Sequence, residues 1–91
     1  MTDFSTLKRR VMDTYRSTVL PMVSDGRPGH IWTGRLEMAG LIEQIDAWMD
    51  RNGMDIEAVA LRDEFKAMPH AKYSVAECIE ALKAETKRWT G

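Results

Sequence analysis

A lone cysteine, Cys78, cannot form an intrachain disulfide, which excludes the stapled scaffold on which small secreted domains rely. Long apolar runs are missing as well: no stretch approaches the ~20 residues needed to cross a bilayer, and the first residues lack the apolar centre of a signal peptide. The expectation is a protein of the cytoplasm with no membrane partner. An excess of one charge is also absent, since a net charge of −1 gives no overall pull toward nucleic acid or anionic lipid. The charge is nevertheless uneven. Residues 1–35 hold six basic against three acidic side chains, while the rest holds seven against eleven, so whatever basic surface exists lies in the first third.

The patterns that carry chemistry are equally sparse. A metal site would need His30, His70 and Cys78, and these follow neither a helical His pair nor a Cys-x-x-Cys knuckle. Gly26, Gly29 and Gly34 lack the terminal Gly-Lys-Ser/Thr of a phosphate loop. Neighbouring carboxylates such as Asp63 with Glu64, or Glu77 with Glu80, read as solvated helix faces, because nothing around them suggests a desolvated cleft that would separate their pKa values. Cys78 shares an apolar face with Val75, Ile79 and Leu82 and reads as a packing residue rather than a nucleophile. No enzyme, cofactor or metal is expected.

What the chain does have is helical periodicity. A first helix begins after Asp3 or Ser5, either of which caps it, and carries Leu7, Val11, Tyr15 and Val19 on one face. Pro21 ends it, by disfavouring helical geometry at Leu20 and lacking an amide donor. From Ser24 to Thr33 the chain reads as a loop, with a type II turn at Arg27-Pro28-Gly29-His30 and an extended His30-Ile31-Trp32. Thr33 or Gly34 then caps a second helix whose stripe is Met38, Leu41, Ile42, Ile45, Trp48 and Met49. Asn52-Gly53 stops it, with Gly53 in left-handed geometry. Asp55 caps a third helix running to Met68. A fourth opens on the capping box Ser74-Val75-Ala76-Glu77, with Tyr73 and Cys78 as its hydrophobic staple, and presents Val75, Cys78, Ile79, Leu82 and Trp89. The fold class is therefore all-α: a single small domain over residues 1–91, built as a three- or four-helix bundle with a structured loop between the first two helices.

The third helix differs from the others in carrying two apolar arcs. Ile56, Val59 and Ala60 point roughly away from Leu61, Phe65 and Met68, and one arc is left for a partner. The sequence leaves open which arc stays inside; Leu61, Phe65 and Met68 are the candidate partner surface, together with Arg27, Trp32 and Arg35 of the loop, because tryptophan and arginine dominate binding interfaces. The functional expectation is a non-enzymatic interaction module that binds and modulates or inhibits a protein partner, or pairs with a second copy. Short inhibitors that phages and mobile elements direct at host machinery, CRISPR effectors among them, share this profile. The alternative is a small nucleic-acid-binding regulator that presents Lys8, Arg9, Arg10 and Arg16 of the first helix to phosphates.

Overall fold

The computed structural model describes residues 3–90, with side chains through Lys87. Asp3 starts the first helix, α1 (Phe4–Thr14), by accepting the Ser5 amide at 3.2 Å. The rod does not stop at Pro21. It passes through a π-helical turn at Tyr15–Val19 and continues as α2 (Leu20–Ser24). In a regular helix the Pro21 ring would collide with the carbonyl of Ser17 and leave one hydrogen bond unmade. The wider turn, closed by the Leu20 amide on the Tyr15 carbonyl five residues back, loosens the ladder just before the proline. Thr14 and Ser17 help by donating their hydroxyls to the carbonyls of Arg10 and Asp13, at 3.0 and 2.7 Å.

The expected loop between the first two helices shrinks to Asp25-Gly26-Arg27, with Gly26 at φ +88°. Pro28 forms no type II turn; it is the first residue of α3 (Pro28–Asn52), where its missing amide costs nothing. His30, Ile31 and Trp32 are accordingly helical rather than extended, and Thr33 is an interior residue whose hydroxyl bonds back to the Gly29 carbonyl. Close packing is what admits the extra turns. A Cβ at Gly34 would lie 2.8 Å from Val23 Cγ1 and 3.0 Å from Met22 Cβ, so α2 presses against α3 where α3 has no side chain. At its other end α3 stops at Gly53, whose φ of 91° is positive as expected, although ψ of 171° sends the chain into an extended path rather than a left-handed helical one.

Asp55 caps α4 (Ile56–Lys66) by accepting the amides of Glu57 and Ala58 at 2.9 and 3.1 Å. A 3₁₀ turn at Pro69–Ala71 leads to α5 (Val75–Thr90), where Ser74 and Glu77 form the reciprocal box at 3.1 and 3.3 Å. The side chains of Arg88 and Trp89 lie outside the described residues.

The result is a small all-α bundle organised around α3, a spine of about 37 Å at 1.5 Å per residue. Phe4, Leu7, Val11 and Val19 from the first rod pack with the whole α3 stripe and with Ala58, Leu61 and Phe65 of α4 in one core. The bundle is elongated, 52 × 21 × 19 Å, with a radius of gyration of 14.4 Å against about 12 Å for a compact chain of this length. No described helix is long and apolar enough to cross a membrane.

Candidate functional site

The side chains singled out in the sequence separate into three groups. The first is occupied by the core. Leu61 and Phe65 are only 5% and 1% exposed, and Met68 is half-buried against the same cluster, so this arc of α4 is not the surface left for a partner. Val11 and Tyr15 face it from the first rod; the Tyr15 and Phe65 rings lie 5.4 Å apart. The other arc is the one left bare. Ile56 is 89% exposed and Met54, just before the helix, 79%; with Val59 and Ala60 they line a shallow apolar hollow.

The second group is an internal clamp. The Arg35 guanidinium lies 4.4 Å from the Trp32 ring centroid and 4.7 Å from that of Tyr73, and the two rings meet edge-on at 4.8 Å. Trp32 and Arg35 thus fasten α3 to Tyr73, two residues before α5, through a cation–π contact worth about 0.5–2 kcal/mol according to its burial. Tyr73 serves this clamp. Arg27, grouped with them in the sequence, turns elsewhere and pairs with Asp25 at 3.2 Å, where His30 also donates to the Asp25 carboxylate and holds that group below the usual carboxylate range.

Behind the clamp, His70 stacks on Tyr15 at 6.1 Å. Burial, and then the nearby Arg35 charge, lower its pKa. Cys78 is fully buried, and burial raises its thiol pKa; Glu77 adds to the rise while Arg35 opposes it. Both residues are therefore held in their neutral forms, which suits packing and opposes thiolate chemistry. Arg35 Nε and His70 Nε2 are buried without a hydrogen-bond partner among the described residues. Among the described residues, no three or more His, Cys, Asp or Glu side chains converge as metal ligands would.

The third group is the basic side chains of the first rod, three on α1 and Arg16 in the π turn. Lys8, Arg9, Arg10 and Arg16 are all exposed. Arg10 alone of these four lines a groove of about 240 Å³, where α1 meets the end of α3 and Arg51 forms part of the opposite wall. Arg51, Gln44 and Met54 were not named among the binding residues in the sequence, and Ile56 was named only as part of one arc. The double arc of α4 was the one signal pointing toward Ile56, while Arg51 offers none until α1 is laid against α3.

No protein-family model, curated protein or solved structure matches this chain.

Proposed function

We propose that this chain is a non-enzymatic interaction module that binds a protein partner and modulates or blocks it. The observation that carries the reading is the bare arc of α4. Met54 and Ile56 stay almost fully exposed although the same helix buries Leu61 and Phe65 nearly completely. Covering an aliphatic side chain of this size is worth about 1.5–3 kcal/mol, one to two decades of affinity. The patch is small, however. Val59 is half-buried and Ala60 contributes one methyl group, so the arc falls short of the roughly 800 Å² per partner of a stable interface. That favours an anchor within a wider contact over self-pairing through this patch alone. An inhibitor carried by a phage or mobile element against host machinery, such as a CRISPR effector, is the narrower form of the reading; loss of the target's activity on binding is its additional readout.

The test is co-purification from native cells with the wild-type chain and with Met54→Ser/Ile56→Ser. A protein retained at near-stoichiometric amounts by the wild type, and lost by a variant whose circular dichroism is unchanged, is the expected result. Retention by both chains removes the α4 arc as the anchor, and capture of nothing by the wild type removes the reading.

A further inference from the structure

The groove between the start of α1 and the end of α3 has a chemistry of its own. Its apolar wall is formed by Leu7, Ala47 and Trp48, and Arg10 and Arg51 supply its cations. Three other arginines are engaged within the chain, Arg27 with Asp25, Arg62 with Asp46 and Asp63, and Arg35 between two rings, whereas Arg9 and Arg16 do not line this groove. Neither Arg10 nor Arg51 has a carboxylate within ion-pair distance among the described residues. Thr6 and Gln44 add groups that both donate and accept, and Trp48, buried in the wall, has no acceptor for its Nε1 among the described residues. The one carboxylate on the rim, Asp3, accepts the Ser5 amide at 3.2 Å and the Ser5 hydroxyl at 2.9 Å. The groove thus sets two cations against one carboxylate, on an apolar wall.

We propose that this groove receives the carboxylate of an acidic peptide segment of the partner, with the apolar residue beside that carboxylate lying along the Leu7–Ala47 wall. Arginine is the side chain best matched to a carboxylate, which it binds through paired N–H donors, and a volume of about 240 Å³ suits a side chain rather than a helix. A nucleic-acid strand fits less well. It brings a negative charge about every 3.4 Å, and these would have to pass Asp3 on the rim. A single carboxylate can be held by the arginines without a second charge meeting Asp3. The proposal rests on the reading of the chain as a protein-binding module, and it names the chemistry that the partner must bring.

The test is a titration of the ¹⁵N-labelled full chain, followed at the Trp48 indole N–H. Three probes are compared: a capped peptide of alternating Glu and Leu, a Lys and Leu peptide of equal length, and a DNA duplex. The Glu–Leu peptide should move the Trp48 indole signal, with affinity that weakens with salt and falls at least tenfold in Arg10→Gln/Arg51→Gln. Both arginine side chains are on exposed residues, so this variant should keep its circular dichroism and melting temperature. The Lys–Leu peptide should do nothing. A Trp48 signal unmoved at millimolar Glu–Leu peptide, a shift that survives in the double variant, or duplex DNA that displaces the peptide would each overturn the proposal; the last would assign the arginines to phosphates. The Met54→Ser/Ile56→Ser chain separates the two levels. Loss of the cellular partner in that chain, with retention in the arginine variant, leaves the interaction module standing and removes the acidic groove. Retention in the serine variant, with loss in the arginine variant, keeps the protein-binding reading and the groove and removes the α4 arc as the contact.

Discussion

The two ends of the α3 spine are closed by different means. At its C-terminal end Phe4, Leu7, Trp48, Ala58 and Leu61 interdigitate, with the Phe4 and Trp48 rings meeting edge-on at 5.1 Å. At its N-terminal end α5 lies along the spine, yet Cys78 is its only fully buried side chain among those described; Ile79 remains 40% exposed. What holds that end is the Arg35 clamp, the Gly34 crossing and the Ser74 box. One end is fixed by apolar area and the other by a few directional contacts, so the second should open first.

Substitutions at the two ends should separate them. The largest effect is expected from Phe65→Ala, which empties a fully buried site in the shared core and should cost about 3–5 kcal/mol. Cys78→Ala at the other end should cost only about 1 kcal/mol, a drop in melting temperature of roughly 4–8 °C for a domain of this size. Equal losses for the two would mean that α5 belongs to the same cooperative core. Gly34→Ala comes next. A methyl placed 2.8 Å from Val23 Cγ1 must push α2 off α3, at about 1–3 kcal/mol by urea unfolding; an unchanged midpoint would mean that the crossing yields freely. Ser74→Ala should cost about 0.5–2 kcal/mol and accelerate amide exchange in α5 while leaving α4 protected. Uniform acceleration would contradict the independence of the two ends.

The smallest effect is a pH dependence at the clamp. His70 titrates below 6.5 in the folded chain, because burial and Arg35 disfavour its cation. The unfolded chain therefore binds more protons between 6.5 and the folded value, and stability falls as pH drops through that window. His70→Gln should flatten the slope between pH 7 and 5 in chemical denaturation. Asp3 and Asp25, whose carboxyl pKa values are lowered from 3.8, destabilise the fold when protonated only at more acid pH and do not mask it.

The same division governs how much could be read from the sequence. The stripe from Met38 to Met49, the Asp55 cap and the Ser74–Glu77 box were legible because each depends on residues within a turn or two of one another. The continuation through Pro21 and the start of α3 at Pro28 were not. Gly29, Gly34 and the proline read as loop punctuation on local propensity, and the contact of Gly34 with Met22 and Val23 overrides that propensity. The double arc of α4 was visible, but its orientation was not, since Ile56 with Val59 and Leu61 with Phe65 are equally apolar; Val11 and Tyr15 on the other helix decide it. For the groove, Arg10 was legible as a basic residue, whereas Arg51 becomes its neighbour only through the pairing of α1 with α3.

The π turn also resolves a mismatch in phase. Leu7, Val11, Tyr15 and Val19 recur every four residues, and at 3.6 residues per turn each step overshoots by about 40°, so by Val19 the row would have wound about 120° around an ideal helix. Yet Val19 is as deeply buried as Val11. The wide turn between Tyr15 and Val19 takes up that drift by holding more residues in one revolution. It acts as a vernier, returning the row to register with the spine, and it delivers Met22 and Val23 to Gly34, where α3 presents no side chain against them.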